Sequence, residues 1–508
     1  MCLLKPQFLE GNSKFVLLSE KRNTTSHLCY IPNRVLREMA DELTPILTII
    51  FNQSLKSGTI PKDWSKAIVT PVLKKGNVHE ASNYRPISLT CVGCKLLEHI
   101  ICSHILSFLE TNDLLSNLQH GFRKKHSCES QLIITTSDFF SAFDKKIQTD
   151  VGVLDFSRAF DTVPHERLIS KLAHYGIQGQ VNSWIRAFLS DREMKVVVDG
   201  DSSKSAPVIS GVPQGTVLGP LLFLIYINDM PNIVSKGTTI RLFADDCLVY
   251  RHIYSREDQN ILQHDLLKLE QWSITWGMRF NPSKCQIIHI ARSHPQTKLY
   301  ELCGEFLSTV NSAKYLGIII SKDLDWHEQV CSVAKKANSA LHMVARNLHN
   351  CTRQTRALAY ISLVRPKMEY SATVWDPHHQ NDIDSMERIN RRASRVVYKK
   401  SFWDKDVSPT KLLKELDWPT LAKRRQHQRL TMIYKIANGQ IAIPPTQLIQ
   451  PTRQLRGHSK KYQTIRTSCD TVKNSFYSRT IPQWNALNED IVSASSIDSF
   501  KDKLSHFS

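Results

Sequence analysis

The sequence predicts a mixed α/β fold, because segments with strand character alternate with segments of helical periodicity through its middle. Beyond about Leu324 the pattern becomes helical and basic, without a Gly/Ser-rich linker to mark a boundary. The 508 residues are 41% hydrophobic and 22% charged, which is typical of globular chains and excludes a disordered or fibrous one. At roughly 150 residues per domain, such a length corresponds to about two to four domains.

In the first third of the chain, apolar residues recur at helical spacing from Val35 to Ser57, and Gly58 follows as a residue that commonly ends helices. Ile68–Leu73 has the β-branched, apolar character of a strand. A second helix is predicted from Cys94 to about Glu110. The Cys-x-x-Cys pair at its start has no second pair at zinc-site spacing, so we interpret it as packing.

The middle of the chain alternates strands and helices. Val151–Leu154 is a nearly continuous apolar run, as expected of a buried strand, and a helix is predicted from Pro164 to His174 with proline at its start. Lys195–Val198 and Ala206–Ile209 flank a turn-forming Asp-Gly pair and predict a hairpin region. The apolar segment Gly219–Tyr226 is a predicted helix.

Three carboxylates stand beside predicted strands. Asp245 and Asp246 lie in the bend between the strand-like segments Thr239–Phe243 and Cys247–Tyr250, and Asp155 ends the apolar strand that precedes it. Adjacent carboxylates repel each other and stay ionised only when cations compensate them. Magnesium suits this task, and a pair of ions about 3.5–4 Å apart can assist both the attacking and the leaving oxygen in phosphoryl transfer. The alternative is a solvated surface turn, which the apolar flanks argue against.

The charge balance favours a polyanionic partner. The chain has 66 Lys and Arg against 47 Asp and Glu, a formal charge of +19, and nucleic acid is the most common partner of such a chain. The alternative is a role in solubility alone. The 12 scattered cysteines fit reduced thiols inside a cell. With no apolar run of about 18 residues and no signal-peptide core at the start, we expect no membrane span and no secretion. An intracellular location, in the nucleus, the cytoplasm or both, is therefore expected.

Seven short segments between Asn83 and Gly317 follow one another in a characteristic order. They are Asn83–Leu89, Gln119–Arg123, Asp155–Asp161, Gly211–Gly215, Phe243–Asp246, Asn281–Lys284 and Lys314–Gly317. Together they resemble the motifs of the reverse transcriptases of non-LTR (LINE-type, jockey-like) retrotransposons, with Arg158 where lysine is common and Phe243 where tyrosine is common. Val374–Pro377 and Met386–Arg388 also resemble the C-terminal region of such elements, so the resemblance covers nearly the whole chain.

The resemblance implies a right-hand polymerase with fingers, an antiparallel palm sheet, a helical thumb and a helical tail. We expect an N-terminal extension over residues 1–52, fingers and palm over 53–320, and the thumb and basic C-terminal region over 321–508. The implied activity is RNA-directed DNA synthesis, in which a primer 3′-hydroxyl attacks a dNTP on an RNA template. The residues before the polymerase-like region are too few for the amino-terminal endonuclease of such elements, so the chain is expected to lack it.

By the same resemblance, Asp155, Asp245 and Asp246, with the backbone carbonyl of Phe156, hold two Mg²⁺ ions, for which Mn²⁺ is a substitute. Asp161 is expected to have a structural role instead.

Four further residues are implied to contact the nucleotide. Phe160 would lie under its sugar and exclude a 2′-hydroxyl, and Arg85 would pair with the triphosphate. Gln214 would contact the nucleotide or the template, and Lys284 would neutralise or protonate the pyrophosphate. The corresponding alternatives are a core phenylalanine, a solvated arginine, a plain Pro-Gln-Gly turn and a surface lysine.

The basic C-terminal region is predicted to follow nucleic-acid phosphates, although solvated helix faces are the alternative. The residues concerned are Arg388, Arg391, Arg392 and Arg395, followed by Lys423, Arg424, Arg425 and Arg429. The expected partners are an RNA template, a DNA primer or target DNA, and dNTPs, with no membrane. A catalytically inactive nucleic-acid-binding remnant is the second hypothesis. An RNA-templated RNA polymerase is disfavoured by Phe160.

Overall fold

The computed structural model describes Val16 and residues 32–74, 76–400, 408–453 and 457–507, and it contains both sheets and many helices. This mixture confirms the predicted α/β class. The strands are β1 Lys66–Leu73, β2 Tyr84–Leu89, β3 Gln148–Leu154, β4 Arg192–Val198, β5 Asp201–Ser202, β6 Ala206–Val208, β7 Thr238–Phe243, β8 Asp246–Ile253, β9 Gln286–Ile290, β10 Glu301–Leu302, β11 Glu305–Phe306, β12 Ser308–Thr309, β13 Ser312–Tyr315 and β14 Ile318–Ser321.

The α-helices become numerous beyond β14, as the sequence pattern predicts. They are α1 Asn33–Glu38, α2 Ala40–Ser57, α3 Val92–Thr111, α4 Cys128–Asp144, α5 Ala159–Thr162, α6 His165–His174, α7 Gly179–Leu189, α8 Leu218–Ile227, α9 Arg256–Trp276, α10 His327–Asn347, α11 Arg353–Ala359, α12 Arg365–Glu369, α13 Ala372–Trp375, α14 Gln380–Tyr398, α15 Pro409–Glu415, α16 Leu421–Ala437, α17 Asp470–Lys473, α18 Phe476–Asn485, α19 Glu489–Val492 and α20 Ile497–His506. Short 3₁₀ helices span Lys62–Trp64, Ala81–Asn83, Met230–Asn232, Pro282–Lys284 and Pro445–Gln447, and a π-helical segment spans Tyr360–Val364.

The described chain divides into two compact units that interleave in sequence. The first comprises the residues up to Phe122, Leu154–Ser235 and His264–Pro282, and the second comprises Arg123–Val153, Lys236–Gln263 and the residues from Ser283 onward. The predicted boundaries at residues 52 and 320 concern the division into fingers, palm and thumb, and they stay predictions.

The first unit contains a sheet in which β1 pairs antiparallel with β2 and parallel with β4, while β5 and β6 pair with β4. Helix α8 is its most apolar element, and all residues from Leu221 to Ile227 are buried. A helix that is apolar on every side is stable only when it is surrounded by other elements. The predicted helix at Gly219–Tyr226 is therefore confirmed as a core element of this unit.

Helix α3 is long and apolar enough to cross a membrane, judged by length and composition alone. Half of its most apolar window is buried within the protein, and the core helix of a soluble protein passes the same test. Charged and polar residues such as Lys95 and Glu98 interrupt its apolar sequence. The expectation that no membrane is involved stays a prediction.

The second unit contains a five-stranded sheet in the order β12-β9-β3-β8-β7. Strand β3 is central and runs antiparallel to β9, and β7 runs antiparallel to β8. These strands are buried in the protein, for example at Val151, Leu248 and Ile288. Burial of both faces explains why the sequences of the strands are almost continuously apolar. Helix α4 packs on this sheet, where Phe139 makes an edge contact with Tyr250 at a centroid distance of 5.0 Å.

The C-terminal helices of the second unit surround a buried ionic cluster at Asp376. Arg425 and Arg429 are 1% and 2% exposed and both pair with this carboxylate, Arg425 through Nε at 2.5 Å. Arg479 Nη1 lies 3.3 Å from the same carboxylate. Burial lowers the pKa of Arg425 to about 10 and that of Arg429 to about 9. The prediction that Arg425 and Arg429 follow phosphates is therefore wrong, because both guanidinium groups are inside the protein.

Candidate active site

The turn between β7 and β8 carries two of the three predicted catalytic carboxylates. Phe243 pairs with Asp246, so Ala244 and Asp245 form a two-residue connection. Ala244 is buried and has a φ of +54°, a left-handed conformation that is uncommon for a residue with a side chain. Asp245 is half-buried, whereas Asp246 is exposed. Strained backbone of this kind persists only where the surroundings hold it, and it is concentrated at functional sites.

The buried thiol of Cys247 follows Asp246 at the start of β8. Burial raises the pKa of Cys247, and the neighbouring Cys285 and Asp246 raise it further. The carboxylate of Asp246 therefore places negative charge next to this buried end of the strand.

Asp155 directly follows the central strand β3. Its backbone carbonyl accepts a hydrogen bond from the Asn281 amide at 2.8 Å, and the Ser157 amide donates to the Arg279 carbonyl at 2.8 Å. Between these two bonds, Phe156 stacks on Phe280 at a centroid distance of 4.4 Å. These hydrogen bonds do not use the Phe156 carbonyl, which was predicted to be a metal ligand.

The sheet topology relates the end of β3 to the start of β8. The two strands are neighbours, and the Thr149 hydroxyl lies 2.9 Å from Nδ1 of His252. Thr149 is near the start of β3 and His252 near the end of β8, so the strands run in opposite directions. Within the second unit, the residues of β3 up to Val153 therefore approach the start of β8, where Asp246 lies, and Asp155 follows β3 in the chain.

The Pro-Gln-Gly loop before α8 is held by close backbone contacts within the first unit. The Gln214 carbonyl accepts from the Ser88 amide at 2.7 Å, and its side-chain amide donates to Asp161 Oδ1 at 2.9 Å. Gly215 has a φ of +102°, and a Cβ there would be 2.5 Å from the Ser88 carbonyl oxygen. Only glycine fits this close approach. Asp161 thus holds the side chain of Gln214, in agreement with its predicted structural role.

Phe160 lies on the short helix α5 and is half-buried. Its ring stacks on Phe223 of α8 at a centroid distance of 4.2 Å, and its carbonyl accepts from the Val212 amide at 2.7 Å. The stacking partner is fully buried, so it fixes the plane of the Phe160 ring. The contact of Phe160 with a sugar stays a prediction, and so does the alternative of a core phenylalanine.

The two predicted cationic residues are both exposed. Arg85 lies on β2 opposite Val72, and Lys284 ends the 3₁₀ helix that follows Phe280. The predicted binding of Arg85 to the triphosphate and of Lys284 to the pyrophosphate stays a prediction.

Residues 72–320 match the family model described as "Reverse transcriptase (RNA-dependent DNA polymerase)". These residues form a reverse transcriptase domain. Among curated proteins, this chain is 29% identical over 380 residues to the RNA-directed DNA polymerase from mobile element jockey of Drosophila funebris, covering 72% of this chain and 41% of the relative. It is 28% identical over 384 residues to the probable RNA-directed DNA polymerase from transposon BS of Drosophila melanogaster, covering 72% and 42%.

A more distant relative also comes from a retrotransposable element. The chain is 27% identical over 272 residues to a polyprotein from type-1 retrotransposable element R2 of Popillia japonica, covering 49% of this chain and 42% of the relative. A solved telomerase structure from Candida tropicalis aligns with a TM-score of 0.37 and 11% identity over 58% of this chain and 60% of its own, too little to add to the assignment. The reverse transcriptase domain is thus of the non-LTR, jockey-like type, and the chain spans about two fifths of the length of these curated relatives.

The donor atoms of the reverse transcriptase domain fit a hard divalent cation. Asp155, Asp245 and Asp246 provide carboxylate oxygens, and Phe156 provides a backbone carbonyl. Over residues 32–74, 76–400, 408–453 and 457–507, no three His, Cys, Asp or Glu side chains are already grouped as a metal site. Carboxylate and carbonyl oxygens are the donors that hard divalent cations prefer.

Sequence analysis did not identify Glu98 as a residue of the reverse transcriptase domain. Its fully buried carboxylate accepts hydrogen bonds from the Val217 and Leu218 amides at 2.7 and 3.0 Å, at the N-terminus of α8. Burial raises its pKa, which these hydrogen bonds partly offset. Glu98 therefore fixes the helix that follows the Pro-Gln-Gly loop. The signal in the sequence was a single carboxylate among the apolar residues of a predicted helix.

Proposed function

We propose that this chain is an RNA-directed DNA polymerase, which extends a DNA primer with dNTPs on an RNA template. The observation that carries the proposal is the position of Asp155 after β3 and of Asp245 and Asp246 at the start of the neighbouring β8, inside a reverse transcriptase domain. The chain spans only about two fifths of the length of its curated relatives. Its activity, substrates and partners are therefore part of this proposal and are not taken over from those relatives. We also propose that it acts inside the cell, in the nucleus, the cytoplasm or both.

Asp155, Asp245 and Asp246, with the Phe156 carbonyl, would hold two Mg²⁺ ions, and Mn²⁺ is the expected substitute. When bound, such ions activate the primer hydroxyl and stabilise the leaving pyrophosphate oxygen. The protein's own contribution would be to position these three carboxylates although they repel one another. Positioning and charge compensation are the main requirements of phosphoryl transfer.

Four residues of the reverse transcriptase domain would hold the nucleotide. Phe160, fixed by its stack on Phe223, would exclude a 2′-hydroxyl, and Arg85 would bind the triphosphate through its planar fork. Gln214 would contact the nucleotide or the template after exchanging its hydrogen bond with Asp161. Lys284 would neutralise or protonate the pyrophosphate.

The proposal is tested by primer extension on an RNA template with magnesium, comparing dNTPs with NTPs. We expect extension with dNTPs that stops when the metal is chelated and resumes when magnesium or manganese is added. The double variant Asp245→Asn/Asp246→Asn is expected to reduce extension by about 10³-fold or more, because a loss of about 4 kcal/mol in transition-state stabilisation corresponds to that factor.

Asp490→Asn is the matched control, since Asp490 is an exposed carboxylate of α19 that lies outside the reverse transcriptase domain. It is expected to extend primers like the wild type. No extension by folded wild-type protein that still binds an RNA–DNA hybrid would instead support the inactive remnant. Extension with NTPs alone would identify an RNA polymerase.

A further inference from the structure

A large groove lies within the C-terminal helices of the second unit. Its volume is about 910 Å³, within the range of clefts that enclose most of a small ligand. Its walls are α15, the turn that contains Trp418, helix α16 and helix α20. Ser371 and Thr373, which are buried, form part of its floor.

Helix α16 divides its basic residues between two faces. Leu421, Arg425 and Arg429 follow each other at four-residue spacing and are buried. The opposite face of α16 lines the groove, and its residues are half-buried. These residues are Lys423, Arg424, His427, Gln428 and Lys435. The helical period therefore separates the arginines that bind Asp376 from the cations that face the groove.

Some of the groove's cations are neutralised by local carboxylates. Arg424 makes a two-pronged ion pair with Glu369, in which Nη2 lies 3.1 Å from Oε2. Burial raises the pKa of Glu129, and the hydrogen bond from Thr373 and the charge of Lys435 offset part of this rise. Lys414, Lys423 and Lys501 face the groove with Asp417 as the remaining acidic residue of the lining.

The lining of the groove contains more cations than carboxylates, with Lys414, Lys423, Lys435, Lys501 and Arg424 against Glu129, Glu369 and Asp417. Burial lowers the pKa of His427, and the neighbouring Lys423 and Arg424 lower it further. A ligand that enters here is therefore expected to be anionic.

The lining also offers groups that suit nucleobases. The Trp418 ring stacks on Tyr360 at a centroid distance of 4.5 Å and remains partly exposed in the groove. Lysines for phosphates and an aromatic face for stacking are the combination that binds single-stranded nucleic acid.

We propose that this groove binds single-stranded RNA. The inference deepens the proposed function, on which it rests, by naming a binding surface for the RNA outside the polymerase site. A single strand can present its phosphates to Lys414, Lys423 and Lys501 and stack a base on Trp418. An acidic protein segment would use the lysines but not the aromatic ring.

The test measures binding of the full-length protein to a fluorescent, unstructured oligouridylate over a range of salt concentrations. Lys414→Gln/Lys423→Gln/Lys501→Gln removes three cations from the groove. Each phosphate contact on a single strand contributes about 0.7 to the slope of log K against log salt, so the slope is expected to decrease in magnitude by about 2.

The matched control is Lys335→Gln/Lys336→Gln/Lys473→Gln, which removes three exposed lysines of the same unit away from the groove. Its slope is expected to stay close to that of the wild type. Equal changes in the two variants, or no change in the groove variant, would overturn the proposal. Displacement of the RNA by polyglutamate as readily as by oligouridylate would also overturn it and indicate an acidic protein partner.

Primer extension by the same preparations separates this inference from the proposed function. Extension by the wild type together with an unchanged slope in the groove variant refutes the groove alone. Absence of extension together with the expected decrease in slope refutes the polymerase activity and leaves the groove as a site for single-stranded RNA.

Discussion

Single residues explain why the Pro-Gln-Gly loop and the aromatic ring before it have fixed positions. Gly215 allows the loop to approach Ser88 to a distance that no other residue permits. Gly211 has the same function beside Asp161, where a Cβ would be 2.7 Å from the Asp161 Cα. Phe160 is fixed from one side by its stack on Phe223. These residues act through shape, and their roles depend on atoms that are distant in sequence.

We predict that Phe160→Val relaxes the selection of deoxynucleotides. Removing the ring opens space for a 2′-hydroxyl, and steric discrimination of this kind is worth about 1–3 kcal/mol, or about 10- to 200-fold. The measurement is the ratio of kcat/KM for a dNTP and the matching NTP in primer extension.

Phe188→Val is the control for Phe160→Val. Phe188 is also a stacked aromatic residue of the first unit, on Trp184 at 5.5 Å, and it is fully buried in α7. Its loss is expected to reduce stability and to leave the dNTP/NTP ratio unchanged. An unchanged ratio in Phe160→Val would mean that the ring does not contact the sugar.

At the scale of elements, helices α16 and α18 are joined by charge rather than by apolar packing alone. Asp376, directly after α13, is nearly buried and contacts Arg425 and Arg429 of α16 and Arg479 of α18. The carboxylate therefore connects three elements that meet at one point. A buried ion pair costs solvation, but removing one partner leaves the other charges uncompensated.

We predict that Asp376→Asn lowers the free energy of unfolding by about 3–5 kcal/mol, because it leaves buried guanidinium groups without a counter-charge. Urea unfolding followed by tryptophan fluorescence measures the change, since Trp375 and Trp484 are buried in the same cluster of helices. Asp490→Asn removes an exposed partner of Lys503 and is expected to cost about 1 kcal/mol or less. Similar losses in the two variants would refute the special role of Asp376.

At the scale of the whole molecule, the basic residues behind the formal charge of +19 lie both inside the protein and on its surface. Arg425 and Arg429 are inside, where they pair with Asp376. Arg388, Arg391 and Arg392 remain exposed on α14, and Arg392 also lines a smaller groove of about 460 Å³ beside α10. The cations that remain outside are available for a polyanion.

We predict that the full-length protein binds an RNA–DNA hybrid with strong salt dependence and little sequence preference. Between about 50 and about 200 mM salt, affinity is expected to fall by about 10³-fold if roughly six phosphates are contacted. Fluorescence anisotropy with two hybrids of equal length and scrambled sequence measures both properties. A flat salt dependence, or a large difference between the two hybrids, would contradict phosphate-based binding.

Local sequence predicted the elements that depend on local physics. The helix that ends at Gly58 is confirmed with a break at Met39, and its C-terminal glycine has a φ of +64°. The acidic hairpin is confirmed in its strands and in its turn. Helix and strand periods and turn-forming residues are properties of neighbouring positions, so a single sequence contains them.

The tertiary structure decided which charged residues are on the surface. Both α14 and α16 have arginines three or four residues apart, and sequence analysis gave them one interpretation. In α14 the arginines 388, 391 and 392 fall opposite the buried Met386, Ile389 and Ala393 and are exposed. In α16, Arg425 and Arg429 fall in line with buried Leu421 and Ile433 and enter the core.

The sequence by itself therefore determined the α/β class, the order of the motifs and the chemistry of the carboxylates. Only the tertiary structure decided that Asp376 compensates Arg425 and Arg429, that Phe223 supports Phe160, and that Glu98 holds the start of α8. The physical reason is that a buried charge or a fixed ring needs a partner in space. These partners lie tens of residues away or more, and a local pattern does not contain them.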